Sequence, residues 1–269
     1  MPISESTPQN NVLKLIFGVF STYERNGWIQ PSILQFFCDL PFRKDVAYRM
    51  IPVHNFVPCA SGRNQLCKNS KDCKDVDWIV MIDNDMELRG DFLDTVKDAP
   101  ADADIVAPSF YMWNQAELNL ALCWGLDSAP DGIATFGPGF HELTKCGTGA
   151  IFIKPHVFRK LEYPYFRYLH NEDGGQTGTE DIQFCVAARN AGFKIYGNAG
   201  IHVGHYKSIE IGRLWDWHNK ITEIQMEADR RARAKLLDKQ NAEPVDSHSK
   251  DSGCSPEQTA PDSVPVGAK

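Results

Sequence analysis

Short, nearly continuous apolar runs alternate with polar, helix-compatible stretches over the first 110 residues. Residues 12–20, VLKLIFGVF, are β-branched and aromatic enough for a strand buried on both faces. STYERNG (21–27) reads as a polar turn, and PSILQFFCDL (31–40) as a helix with Pro31 in its first turn. AYRMIPVHNFV (47–57) reads as a second strand, and ASGRNQLCKNSKD (60–72) as a turn leading into a short helix. VDWIVMI (76–82) is a third strand, DNDMELRGDFLDTVKDA (83–99) a loop and a helix, and ADIVAPSF (103–110) a fourth strand. This β-α-β-α-β-α-β order predicts an α/β fold with a mainly parallel, helix-flanked sheet. Ligands of such sheets bind beyond the carboxyl ends of the strands. Asp83-Asn84-Asp85 falls at such an end.

Residues 111–145 are less regular and rich in Trp, Gly and Pro, as expected of a meander or a substrate-facing insertion. GAIFIKPHVFRKL (149–161) predicts a strand and then a helix opened by Pro155. TEDIQFCVAARNAGF (179–193) predicts an amphipathic helix that Gly192 stops, and KIYGNAGIHVGH (194–205) a strand or a pair of strands. Residues 209–240 read as helical with a highly charged second half. Residues 1–11 read as a flexible lead-in, and 241–269, poor in large apolar side chains, as a disordered tail. The expected organisation is one domain over 12–240, with a nucleotide-binding half (12–110), an acceptor half (111–208) and a helical extension (209–240).

A chain of 269 residues with 42% hydrophobic composition can bury a large α/β core. The net charge of −7 argues against a nucleic-acid binder, which needs a basic face. No run approaches the roughly 20 apolar residues of a membrane span. The start, MPISESTPQNN, is polar and unlike a signal peptide. Eight cysteines form no C-x-x-C pair, so reduced thiols and a cytoplasmic location are expected.

Six groups can carry chemistry. Asp83 and Asp85, spaced i and i+2 after a buried strand, can face one hard cation such as Mg²⁺ or Mn²⁺ that shares oxygens with a diphosphate. The alternative is a solvated acidic turn. Glu180-Asp181 opens a helix, either to favour its dipole with Thr179 as cap or to aim a general base into a cleft. His205, with His202 as a nearby decoy, is either a further metal ligand or a packed histidine. Gly147-Thr148-Gly149 permits close approach of a ligand or makes a plain tight turn. Arg63-Asn64 contacts phosphate or ribose, or caps its helix. Lys207 and Arg213 can close over a diphosphate or sit as surface charge, and packing is the expected role of Trp215 and Trp217.

Taken in order, strand–DND, GTGAIFIKPHVF, TEDIQFCVAARNAGFKIY and HVGH resemble glycosyltransferases of the GT-A fold, especially bacterial and phage family-2-like members. The resemblance covers residues 12 to about 208. It implies that Asp83 and Asp85 sit at the metal and diphosphate, with Asn84 beside them, and that His205 is the third protein ligand. It implies Asp181 as the base of an inverting transfer, with Glu180 as fallback. Ser21, Thr22 and Tyr23 would border the nucleotide, and ASGRNQL matches an A-R-N segment near the donor, placing Arg63 and Asn64 there. Gly147, Thr148 and Lys207 complete the expected donor site. Relatives often carry an acidic residue after the second strand to read the base, where this chain has His54-Asn55.

The expected activity is metal-dependent transfer of a sugar from a nucleotide-diphospho-sugar, most commonly a UDP-sugar, to a saccharide or other hydroxyl. A nucleotidyltransferase shares the sheet and metal logic but favours a Gly-rich basic loop after the first strand, where STYERNG has one basic residue. A non-catalytic carbohydrate-binding protein with the same fold is the other alternative.

Overall fold

The computed structural model describes residues 12–21, 28–51, 53–54, 58–114, 119–125, 137–207 and 211–242. The strands are β1 (Leu13–Ser21), β2 (Val46–Met50), β3 (Val53–His54), β4 (Trp78–Asp83), β5 (Met86–Glu87), β6 (Ala103–Ser109), β7 (Tyr111–Asn114) and β8 (Asn119–Leu122). They continue with β9 (Trp124–Gly125), β10 (Phe140–Leu143), β11 (Lys145–Cys146), β12 (Ala150–Ile153), β13 (Leu169–His170), β14 (Gln176–Gly178), β15 (Lys194–His202) and β16 (Gly204–His205). The α-helices are α1 (Pro31–Asp39), α2 (Cys59–Ser70), α3 (Pro155–Lys160), α4 (Glu180–Asn190) and α5 (Ile211–Ala242). The chain divides into two compact units, Met1–Trp217 and His218–Lys269. The first holds the sheet and the second most of α5.

The main sheet has eight strands in the order β10-β15-β6-β12-β4-β1-β2, with β3 also paired to β1. Strands β1 to β4, β6 and β15 run one way, and β12 and β10 run the other. The fold is therefore mixed α/β with a mostly parallel sheet. Alternate residues of the buried strands feed two cores. Ile79 and Met81 face one cluster, with helical residues such as Leu66, Phe158 and Phe184. Val80 and Ile82 face the other, with Ile33, Phe92 and Leu93. Covering both faces is why these strands read as unbroken apolar runs rather than alternating ones.

Two local readings differ from the structure. Residues 83–99 hold no α-helix. Met86–Glu87 is drawn into strand β5, and Phe92–Val96 forms only a 3₁₀ turn. Phe92, Leu93, Thr95 and Val96 are all buried, so this segment has no polar face of the kind an amphipathic helix shows. The second predicted strand is split into β2 and β3. Pro52 lies between them in sequence and has no N–H for a ladder. Strand β12 is antiparallel and sits between β4 and β6. The stop of α4 is as read: Gly192 takes φ +87°, its N–H donates to the Arg189 carbonyl at 2.8 Å, and Phe193 N–H donates to Ala188 O at 3.0 Å. Among the described residues, no helix is long and apolar enough to cross a membrane. Residues 1–11 and 243–269 lie outside the described residues.

Candidate active site

Parallel pairing with β1 places Asp83, the last residue of β4, beside Phe20. The chain then turns, and the three residues of the turn part company. Asn84 is buried and faces inward: its N–H donates to Phe20 O at 3.1 Å and its Nδ2 to Trp28 O at 2.5 Å, while its carbonyl accepts from Gln30 N at 2.8 Å. It ties the turn to residues 28–30. Asp83 and Asp85 point to different partners.

Asp85 is organised by the short pairing of β5 with β16, which sets His205 opposite Met86. Tyr206 N–H donates to Asp85 O at 2.9 Å. The Asp85 carboxylate meets His205 Nε2 at 3.5 Å and Lys207 Nζ at 2.7 Å. The other ring nitrogen, Nδ1, lies 3.1 Å from Tyr111 O. A carbonyl only accepts, so Nδ1 meets Tyr111 O as the donor. Burial pushes the Asp85 carboxyl up, but His205 and Lys207 outweigh it and hold it well below the usual carboxylate range.

Asp83 turns instead to Arg63. The guanidinium is 2% exposed and spans two carboxylates, Asp83 Oδ1 at 2.7 Å and Glu180 Oε1 at 2.7 Å. Its plane lies over the Phe20 ring, 5.3 Å from the centroid, and its Nε has no hydrogen-bond partner. Burial raises the Asp83 carboxyl above its ordinary value, Arg63 opposes that, and the Asp85 charge adds to it. Burial and the Glu180 charge push the nearby Tyr168 hydroxyl up to about 12. The result is two neighbouring ion-paired groups, Lys207 with Asp85 and Arg63 between Asp83 and Glu180.

The predicted residues fare unequally. Among the described residues, no group of three or more His, Cys, Asp or Glu is drawn together to hold a metal. Asp85 and His205 meet; Asp83 is committed to Arg63. Two protein donors suit a hard ion that takes its remaining oxygens from a phosphate and water, as Mg²⁺ usually does. Ser21 ends β1, is buried, and its Oγ has no hydrogen-bond partner. Thr22, Tyr23 and Asn55 lie outside the described residues. Asn64 is spent on Phe166: Nδ2 donates to its carbonyl at 2.7 Å and Oδ1 accepts from its N–H at 3.0 Å. Thr148 is buried between two glycines set against side chains rather than open space. A Cβ on Gly147 would come 2.9 Å from the Phe110 ring, and one on Gly149 2.9 Å from Met86 Sδ. Asp181 accepts from Thr179 Oγ1 and, at 2.8 Å, from Ile182 N. Thr179 makes no side-chain cap. His202 contacts Ser109 Oγ at 3.1 Å and packs against the Tyr111 ring, 5.4 Å between centroids. Trp215 is exposed and Trp217 half-buried, so packing holds for them only in part.

Sequence reading passed over Tyr168 and an aromatic pair. The exposed rings of Trp28 and Tyr206 meet edge to face, 6.5 Å apart. Their backbones are those that bind Asn84 and Asp85. Exposed aromatics flanking an acidic turn are a signal, but the two lie far apart in the chain and only the fold joins them.

No family model matches this chain, and no curated protein matches it in sequence. Solved structures do resemble it in fold. One is A197 from STIV, with TM-score 0.51 and 17% identity over 73% of this chain and 87% of that one. Weaker likenesses include GalNAc-T7 with UDP, GalNAc and Mn²⁺ (TM-score 0.45, 10% identity, 75% of this chain, 45% of that one). A Drosophila beta-1,4-galactosyltransferase 7 complex with manganese, UDP-Gal and xylobiose gives 0.43 and 14%, over 73% and 72% of the two chains. The inositol-1-phosphate CTP transferase from T. maritima gives 0.43 and 9%, over 79% and 97%. At these identities the likeness concerns the fold.

Proposed function

We propose that this chain is a metal-dependent glycosyltransferase, taking a sugar from a nucleotide-diphospho-sugar, with a UDP-sugar as first candidate, and passing it to a saccharide or other hydroxyl. The observation that carries the reading is the meeting of Asp85 and His205 at the carboxyl ends of the strands, with Lys207 beside them. Asp85 and His205 would hold a divalent ion, Mn²⁺ or Mg²⁺, which supplies positive charge to the departing diphosphate. Lys207, now on Asp85, adds a second positive group for the same oxygens. Asp83 acts through Arg63 and shapes the donor side, where the Ser21 hydroxyl is available.

On the acceptor side, Glu180 is already bound by Arg63. That commitment leaves Asp181 as the residue to take the proton of the attacking hydroxyl in an inverting transfer. Trp28 and Tyr206 offer ring faces at the mouth of the site. The resemblance to bacterial and phage family-2-like enzymes supports the same assignment.

The test is release of nucleoside diphosphate from a panel of nucleotide-sugars with and without Mn²⁺. Release that needs Mn²⁺ and vanishes in Asp85→Ala is expected. Release of pyrophosphate from a nucleoside triphosphate and a sugar phosphate would instead point to a nucleotidyltransferase. No turnover with any donor would favour a binding protein. Asp181→Asn should keep donor binding and lose transfer; wild-type transfer would remove Asp181 as base.

A further inference from the structure

Helix α5 runs for 32 residues. Its described side chains beyond Trp217 are nearly all exposed, on every side. Ile221 is 43% and Ile224 56% exposed. A single helix in water gains little from propensity alone; most helical stability comes from burying an apolar face. This helix has such a face. Trp217, Ile221, Ile224 and Ala228 follow one another at steps of four, three and four, the spacing of an a/d seam. Residues 243–269 offer only three valines as branched apolar side chains.

We infer that the α5 seam pairs with α5 of a second copy of this chain, antiparallel and about a two-fold axis. The residues themselves choose the direction. In a two-fold antiparallel pair, facing positions have numbers with a constant sum. With Ile221 facing Ile224 of the second copy, Trp217 faces Ala228, so the largest side chain of the seam meets the smallest. Each match occurs twice, giving four apolar layers. At the flank of the seam, offset by two positions from that sum, Lys220 then lies beside Glu227 of the second copy, again twice. A parallel pairing would stack Trp217 on Trp217 and Ala228 on Ala228, and would put Lys220 against Gln225 and Glu227 against Ala232, with no opposite charges. Size and charge both select the antiparallel arrangement.

The test is sedimentation equilibrium of the full chain, 30.2 kDa. The wild type should give a dimer that dissociates on dilution. Ile224→Asp should give a monomer of unchanged fold. Lys220→Glu and Glu227→Lys should each weaken association about tenfold, and the double variant Lys220→Glu/Glu227→Lys should recover it. Circular dichroism on each variant checks that the helix persists, since Glu227 also pairs with Arg230 and Arg231 along it. A wild-type monomer at every concentration would overturn the inference. So would charge variants that leave association unchanged, or a double variant that fails to recover with its helix intact. Binding of the monomer to anionic vesicles through Ile221 and Ile224 would assign the face to a lipid surface instead.

Discussion

Arg63 and Glu180 stand 117 positions apart in the chain, yet a 2.7 Å ion pair joins them. Arg63 holds Asp83 at the same distance. One buried guanidinium therefore fixes the spacing between the end of β4 and the start of α4, the two elements that carry the candidate donor and acceptor carboxylates.

Arg63→Met should lower stability by about 3 kcal/mol, because removing one partner leaves two partly buried carboxylates uncompensated. Arg63→Lys should recover only part, since an ammonium lacks the fork that reaches both. Urea unfolding of the two variants checks the order.

Lys207→Gln should change metal and nucleotide binding in opposite directions. Lys207 neutralises Asp85 at 2.7 Å. Without it, Mn²⁺ alone should bind severalfold more tightly, while affinity for a nucleotide-sugar falls. Calorimetry with each ligand separates the effects; a parallel loss of both would make Lys207 a structural strut.

Gly149→Ala should cost about 1–3 kcal/mol, because the added methyl meets Met86 Sδ at 2.9 Å and the Phe110 ring at 3.2 Å. Phe110→Leu should absorb part of that cost, so the double variant loses less than the sum of the singles. Thermal unfolding of the four proteins gives the cycle.

His202 should make the fold acid-sensitive. Burial, with help from Arg89, lowers its pKa below the ordinary 6.5. The unfolded chain thus takes the proton before the folded one does. Stability from this group is whole above about pH 6.5 and declines as pH falls through and below it. His202→Gln should flatten that part of the melting temperature profile between pH 7.5 and 5.

The strands that face two cores were legible because burial on both sides leaves a continuous apolar run, as in VDWIVMI. The helix stop at Gly192 was legible because only one residue type suits its backbone. The meeting of His205 with Asp85 is consistent with the order of the motifs. The partners of Asp83 were not legible. An acidic turn looks the same whether its carboxylate faces an ion or an arginine 20 residues earlier, and the choice is made in three dimensions. Asn64 likewise looks like a ligand contact in sequence and is a brace for Phe166 in space.

Among the described residues, strand β12 is the sole link in the main sheet between β4 and β6. Without it the sheet falls into two leaves, β1 to β4 and the set β6, β15, β10. During synthesis β1 to β4, and β6 beside them, must wait with raw edges until Ile153 has left the ribosome. A fragment ending near residue 110 would keep that edge open and tend to aggregate, so cutting the chain there would not yield two folding pieces.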